Sequence, residues 1–295
     1  MARLLAFTAD LHWGHGGRGD EAVRDLAAFV HAQPPDVLVI AGDIGTGDFF
    51  GQCLQHFDDL PCRKALVPGN HDIWIRGEEN EPDSMQLFAT ELPRISAQHG
   101  FEYLDNGPLY LPEANLALVG SMNWYDYSWS IETIRRDYPD ELFRLQSKRF
   151  TRGRHNDANF VRWATDDIAF TAQVVQRLEE HLVAALARAG SVIVVTHHPP
   201  FPGISFPRSG GRHELDELLW EAFGGNQRLQ ELLEKHADRI AFAFCGHTHR
   251  ARQGDLGPIR GYNIGGDYHF KRLLMLDWPK RTVEAHQFGD PDRTG

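Results

Sequence analysis

The sequence predicts an α/β fold with a largely parallel sheet, on three observations. Short apolar runs alternate with amphipathic stretches along most of the 295 residues, the rhythm of repeated βαβ units. Several of those runs stop directly at a Gly, Asp or His instead of a two-residue hairpin turn. The composition, 42% apolar and 24% charged, is that of a globular chain and excludes a disordered one.

Leu4–Thr8 opens as a strand and Glu21–Ala32 follows as a helix. Val37–Ala41, entered through Pro34-Pro35-Asp36, is the next strand; Gly47–Phe57 is helical and Lys64–Val67 strand-like. Ser84–Leu92 is a helix that Pro93 stops or kinks, because proline lacks an N–H and crowds the preceding turn. Leu116–Gly120 is a strand. Thr165–Ala189 is a long helix with an Asp-rich start and a glycine stop at Gly190. Ser191–Thr196 is a buried strand, Glu214–Phe223 and Gln227–His236 are helices split by Gly224-Gly225, and Ile240–Cys245 is a further strand. Ile259–Phe288 divides into three short strands. With no internal repeat, residues 1–295 read as a single domain.

Residues 121–165 break the rhythm. They hold Trp124, Tyr125, Tyr127, Trp129, Tyr138, Phe143, Phe150, Phe160 and Trp163, with a basic run of Arg144, Lys148, Arg149, Arg152 and Arg154. This aromatic-rich stretch reads as a small insertion or cap over one end of the sheet. Its basic run is either a solvated helix face or a contact for the anionic part of a substrate.

A compact chain of this length buries roughly 75% of its unfolded surface, so it needs no staple merely to fold. Three Cys form no disulfide framework, no apolar run approaches the ~20 residues of a membrane span, and Met1–Asp10 lacks a signal-peptide core. A cytoplasmic protein without a membrane span is expected. Thirty basic against 41 acidic side chains leave a net charge of −11, which argues against a nucleic-acid or anionic-membrane coat.

Five polar clusters follow apolar strands: Asp10-Leu11-His12, Gly42-Asp43, Gly69-Asn70-His71-Asp72, His197-His198-Pro199 and Gly246-His247-Thr248-His249. Parallel strands bring their carboxyl ends together, and ligands bind in the crevice beyond them. Two carboxylates (Asp10, Asp43), one amide (Asn70) and four imidazoles (His12, His197, His247, His249) would converge there. Seven donors exceed the about four to six that one transition-metal ion takes; they suit two ions sharing a carboxylate. The mixed N/O set, without thiolate, does not select one metal: Mn2+ is the first expectation, with Fe and Zn2+ as alternatives.

DLH, GD, GNHD, THHP and GHTH, in this order, resemble the calcineurin-like metallophosphoesterase superfamily, over about four fifths of the chain. The resemblance implies a four-layer α/β/β/α sandwich, two packed sheets flanked by helices with the site at one rim. It also implies that Asp10, His12, Asp43 and His249 hold one cation and that Asp43, Asn70, His197 and His247 hold the other. In the doublet the family ligand precedes a residue and then Pro, hence His197 over His198. His71 is not a ligand in that pattern; it faces the substrate and protonates the leaving oxygen or steadies its charge. Many relatives carry Asp-Arg-Gly after the second motif to support that histidine. This chain does not, leaving Asp48 or Asp72 for the task.

The reaction implied is hydrolysis of a phosphodiester or phosphomonoester of small or medium size. A metal-bridging hydroxide held through Asp43 attacks in line and His71 assists departure. Two divalent cations, two carboxylates and one hydroxide leave the centre roughly singly positive. It attracts phosphate despite the acidic chain, because exposed charges beyond roughly 8–10 Å are screened. A non-catalytic scaffold of the same fold and a nuclease of the same superfamily are the alternatives. The complete donor set counts against the first, the charge and the lack of a basic stripe against the second. Of the other histidines, His31, His56, His181, His236, His99, His155 and His286 are expected at the surface. His15, His198, His213 and His269 lie in motif-adjacent or glycine-rich loops and are candidates for contacts with ligands or substrate.

Overall fold

The computed structural model describes residues 4–78, 81–207 and 213–290. Its strands are β1 (Leu4–Thr8), β2 (Val37–Ala41), β3 (Arg63–Val67), β4 (Phe101–Tyr103), β5 (Leu109–Leu111), β6 (Leu116–Ser121), β7 (Ser191–Thr196), β8 (Ile240–Cys245), β9 (Arg252–Leu256), β10 (Ile259–Asn263), β11 (Lys271–Asp277) and β12 (Thr282–Phe288). They form two six-stranded sheets, ordered β12-β11-β1-β2-β3-β4 and β5-β6-β7-β8-β10-β9. β1 to β4 run parallel, as do β6, β7, β8 and β10. The remaining strands pair antiparallel at the margins.

Side-chain alternation along the strands builds the layers. Leu5, Phe7, Val37, Val39, Ala65 and Val67 point inward and meet Leu118, Ile193, Val195, Phe242 and Phe244 of the other sheet. Phe7 and Phe244 stack across this interface with ring centroids 3.9 Å apart. Their neighbours Ala6, Leu38, Ile40 and Leu66 point outward, against Val23 and Leu26 of helix Gly17–Ala32 and Phe50 and Leu54 of helix Asp48–Gln55. On the other sheet Ala117, Val119, Val192, Val194, Ala243 and Cys245 face Leu178 and Leu182 of helix Asp167–Leu186 and Leu229 and Leu233 of helix Gln227–Lys235. Strands covered on both faces need continuous apolar runs such as VLVIA. The result is the α/β/β/α sandwich. Among the described residues no helix is long and apolar enough to cross a membrane.

Pro93 neither stops nor sharply ends its helix. A π-helical turn at Leu87–Glu91 precedes it, with Leu92 N donating to Leu87 O, and the helix runs on through Pro93 to Gln98. β4 and β5 have three residues each, too short for a periodic signal, and β9 (RQGDL) is a polar edge strand.

Residues 121–165 leave the end of β6. Trp124 and Tyr125 are fully buried in the same cluster as the outer face of the first sheet. Trp124 Nε1 donates to Asp167 at 2.8 Å, and Lys148 pairs with the same carboxylate at 2.8 Å. Lys148 therefore leaves the solvated basic run that the sequence suggested.

Asp105, which follows β4, is buried and accepts from Met122 N at 3.0 Å. Burial pushes its carboxyl up to about 7. The folded chain thus keeps this proton over a range where the unfolded chain, titrating near ~3.9, has released it. Stability from this group falls as pH rises between about 4 and 7. Asp105→Asn, neutral throughout and still able to accept from Met122, should flatten that decline. Urea denaturation of both proteins at pH 5 and pH 8 checks this; an unchanged difference would exclude Asp105 as the source.

Candidate metal centre

The five clusters sit beyond the carboxyl ends of β1, β2, β3, β7 and β8. The chain must turn sharply there, and it does so at unusual backbone angles. Asp10 (φ 56°), His12 (44°), Asp43 (54°), His247 (74°) and His249 (54°) all occupy the left-handed region. Such a conformation costs a non-glycine residue about 1–3 kcal/mol and persists only where surroundings enforce it. Here hydrogen bonds between the turns enforce it: Asp10 N to Gly42 O (3.0 Å), His12 N to Asp43 O (2.8 Å), His247 N to Asp10 Oδ1 (2.9 Å) and His71 N to Asp43 Oδ1 (2.9 Å). Gly42 and Gly69 allow the close approach. A Cβ on the first would meet His197 Nδ1 at 2.5 Å, and one on the second would meet Asp43 Oδ1 at 2.1 Å.

Two donor groups result. Ligand atoms of Asp10, His12, Asp43 and His249 all lie within 4.8 Å of one another. His12 Nε2 is 2.9 Å from His249 Nε2 and 3.7 Å from Asp43 Oδ2. In the other group Asn70 Oδ1 is 3.0 Å from His197 Nε2 and 3.2 Å from His247 Nδ1, while His197 Nε2 is 3.3 Å from Asp43 Oδ1. Asp43 thus turns one oxygen toward each group. His197 Nδ1 lies 2.9 Å from Ala41 O, which turns Nε2 toward the centre; burial alone would lower this imidazole, but Asp43 beside it holds it up at about 9, so a cation there would displace the Nε2 proton. The His198 ring packs against His247, with centroids 4.1 Å apart, and against Trp124 at 4.9 Å.

The chemistry of this donor set fits divalent cations. Asp10 Oδ2, His12 Nδ1 and His247 Nε2 are buried without a hydrogen-bond partner. Burial pushes His12 and His247 well below the usual imidazole range and lowers His249 too, so these rings keep the lone pairs a cation needs. Burial alone would raise Asp43, but His197 and His71 beside it hold it well below the usual carboxylate range. Packing two carboxylates and four imidazoles together without solvent is costly unless something of opposite sign lies between them.

His71 lies at the edge of this cluster, its Nε2 3.8 Å from Asp43 Oδ2. Neither Asp48 nor Asp72 orients it, because His71 Nδ1 is buried without a hydrogen-bond partner. Asp72 instead accepts from Ile44 N, Gly45 N and Gly69 N at 2.8, 2.9 and 2.7 Å, pinning the turns after β2 and β3 together. What holds the His71 ring is Trp74, stacked on it with centroids 3.5 Å apart. Two cavities meet at His71, Trp74 and Tyr268. One, of about 310 Å³, also includes Asp43, Asn70, His247, Arg154 and Trp220. The other, of about 950 Å³, includes His15, Phe49, Arg76, Glu81 and Phe160.

Tyr268, which the sequence did not single out, stacks on His12 at 4.3 Å and meets the His249 ring edge-on at 5.1 Å. Its only signal was its place beside His269, an exposed residue whose backbone N donates to Asp267. His213 caps a helix by accepting from Leu215 N. His15 lies at the mouth, within the ligand-atom group of His12 and His71. His155, expected at the surface, is buried beside Asp157, with its Nδ1 3.3 Å from a carboxylate oxygen.

A family model described as calcineurin-like phosphoesterase matches residues 4–251. Among solved structures, a phosphopantetheinyl hydrolase from Mycobacterium tuberculosis is similar at 18% identity and a TM-score of 0.63, covering 100% of this chain and 99% of that one. A dimetal phosphatase from Danio rerio is similar at 15% identity and a TM-score of 0.57, covering 98% and 99%. At these identities the likeness is one of fold. No curated protein matches the chain in sequence.

Cation binding should be visible as stabilisation. At free Mn2+ ~100-fold above Kd, each occupied site adds about 2.7 kcal/mol, so thermal unfolding should shift upward and EDTA should reverse the shift. Asp43→Asn, which touches both donor groups, should abolish most of the shift. A Tm indifferent to Mn2+, Zn2+ and Fe2+ alike would show that the cluster binds none of them.

Proposed function

Because the chain belongs to the calcineurin-like phosphoesterase family, we propose that it hydrolyses phosphodiesters at a centre of two divalent cations, Mn2+ foremost, with Fe or Zn2+ accommodated. The observation that carries this reading is the buried Asp43 carboxylate, with one oxygen toward each of two donor groups. Asp10, His12, Asp43 and His249 would hold one cation, and Asp43, Asn70, His197 and His247 the other. Such a pair, when bound, neutralises phosphoryl charge and supplies a nucleophile at neutral pH.

The chain's own residues do the rest. His197, fixed through Ala41 O, and Asn70 keep the centre rigid. Burial lowers the His71 imidazole to about 4, so at neutral pH it carries a single N–H. Placed on Nε2, the nitrogen that faces the centre, that N–H donates to the leaving oxygen and steadies the charge developing there. Trp74 keeps the ring plane from turning. The two cavities that meet at His71 offer room for two substituents on one phosphorus, which favours a diester.

His71→Ala should lower kcat about 10²–10³-fold for a diester with an alkyl leaving group. It should do far less for a nitrophenyl leaving group, whose oxygen needs little help. Equal losses on both would remove His71 from the leaving-group side. With Mn2+, kcat/KM for bis(p-nitrophenyl) phosphate should exceed that for p-nitrophenyl phosphate at least tenfold. The reverse order would make the chain a monoesterase.

A further inference from the structure

We infer that Asp157 is a positioning residue that sets the orientation of the Asn70 amide and thereby completes one of the two cation sites. The inference rests on the two-cation reading above. Asp157 lies in the short helix Asp157–Phe160, within the aromatic segment and far in sequence from every strand-end motif. Its side chain is fully buried, yet three donors from different parts of the chain converge on it. Asn70 Nδ2 and Trp74 Nε1 both donate to Oδ1 at 2.8 Å, and Tyr125 OH donates to Oδ2 at 2.9 Å.

An asparagine amide has two nearly isosteric orientations, and only one presents oxygen to a cation. With Nδ2 held by Asp157, Oδ1 must face His197 and His247, the side where the ligand atoms gather. A flipped amide would set its oxygen against a buried carboxylate and its N–H groups against the ring nitrogens that should bind metal. The first contact is repulsive where no water can relieve it, and the second would leave a cation facing N–H groups instead of an oxygen. Donation to a carboxylate also makes the amide oxygen a stronger donor toward a cation. Through Trp74 the same Oδ1 fixes the indole that stacks on His71. The aromatic segment therefore supplies part of the centre's internal framework as well as a wall of the cavity.

Calorimetric titration with Mn2+ tests this on the whole chain. Wild type should bind two equivalents. Asp157→Ala, which removes both acceptor oxygens, should weaken one equivalent by about 10–100-fold and leave the other unchanged. Tyr125→Phe removes a donor from the same carboxylate without touching Asn70 and should leave both equivalents at wild-type affinity. Asn70→Asp alone should oppose two carboxylates and weaken the same equivalent. Combining it with Asp157→Asn restores a donor facing an acceptor and should recover the binding. This recovery also serves should Asp157→Ala by itself fold poorly. Two unaffected equivalents in Asp157→Ala, equal weakening of both, or no recovery in the double variant would each overturn the inference. A wild type that binds no Mn2+ would overturn the two-cation reading and this inference with it.

Discussion

Asp43 occupies a position that few carboxylates tolerate. It is buried, its backbone is left-handed, and imidazoles stand on both sides of it. Much of the surrounding architecture makes that position possible. Gly42 and Gly69 remove the atoms that would collide with it or with its neighbour His197. Asp72 draws three backbone N–H groups from two turns onto one side chain, so the loops after β2 and β3 move as a unit. The His71 N–H and the carbonyl of Asp43 itself tie the remaining turns to it.

The sandwich delivers those turns to one rim through simple alternation. Each central strand buries both faces, so it ends where apolar residues end, and the first polar residues project from the sheet's carboxyl edge. Because β1, β2 and β3 in one sheet run parallel, as do β7 and β8 in the other, donors separated by more than two hundred residues, such as Asp10 and His247, come within hydrogen-bond distance. An antiparallel meander of the same strands would have scattered them over opposite edges.

Legibility in the sequence followed the same physics. Strands such as VLVIA and SVIVVT announce themselves because two-sided burial leaves no polar interruptions, and the strand-end clusters stand out against them. The geometry brings together all seven donors named from those clusters and sets His71 beside them. Elements of three residues, and the polar edge strand Arg252–Leu256, carry no such pattern. Pro93 was legible as a disturbance, but the π-helical turn that absorbs it depends on packing. Trp74, Tyr268 and Asp157 matter through where their side chains point in the folded chain, which local residue types do not record. His155 looked exposed for the same reason: its burial comes from aromatic neighbours such as Tyr125 and Phe223.

The left-handed backbone at His12, His247 and His249 sets resilience against usefulness at the same residues. Glycine would sit in each of these conformations with less resistance, so replacement there would relieve tension in the cation-free chain. Each relief would also erase a donor. A search for sturdier variants scored only by resistance to heating without cations would thus be drawn toward the centre and dismantle it, whereas one conducted with cations present would leave these histidines alone.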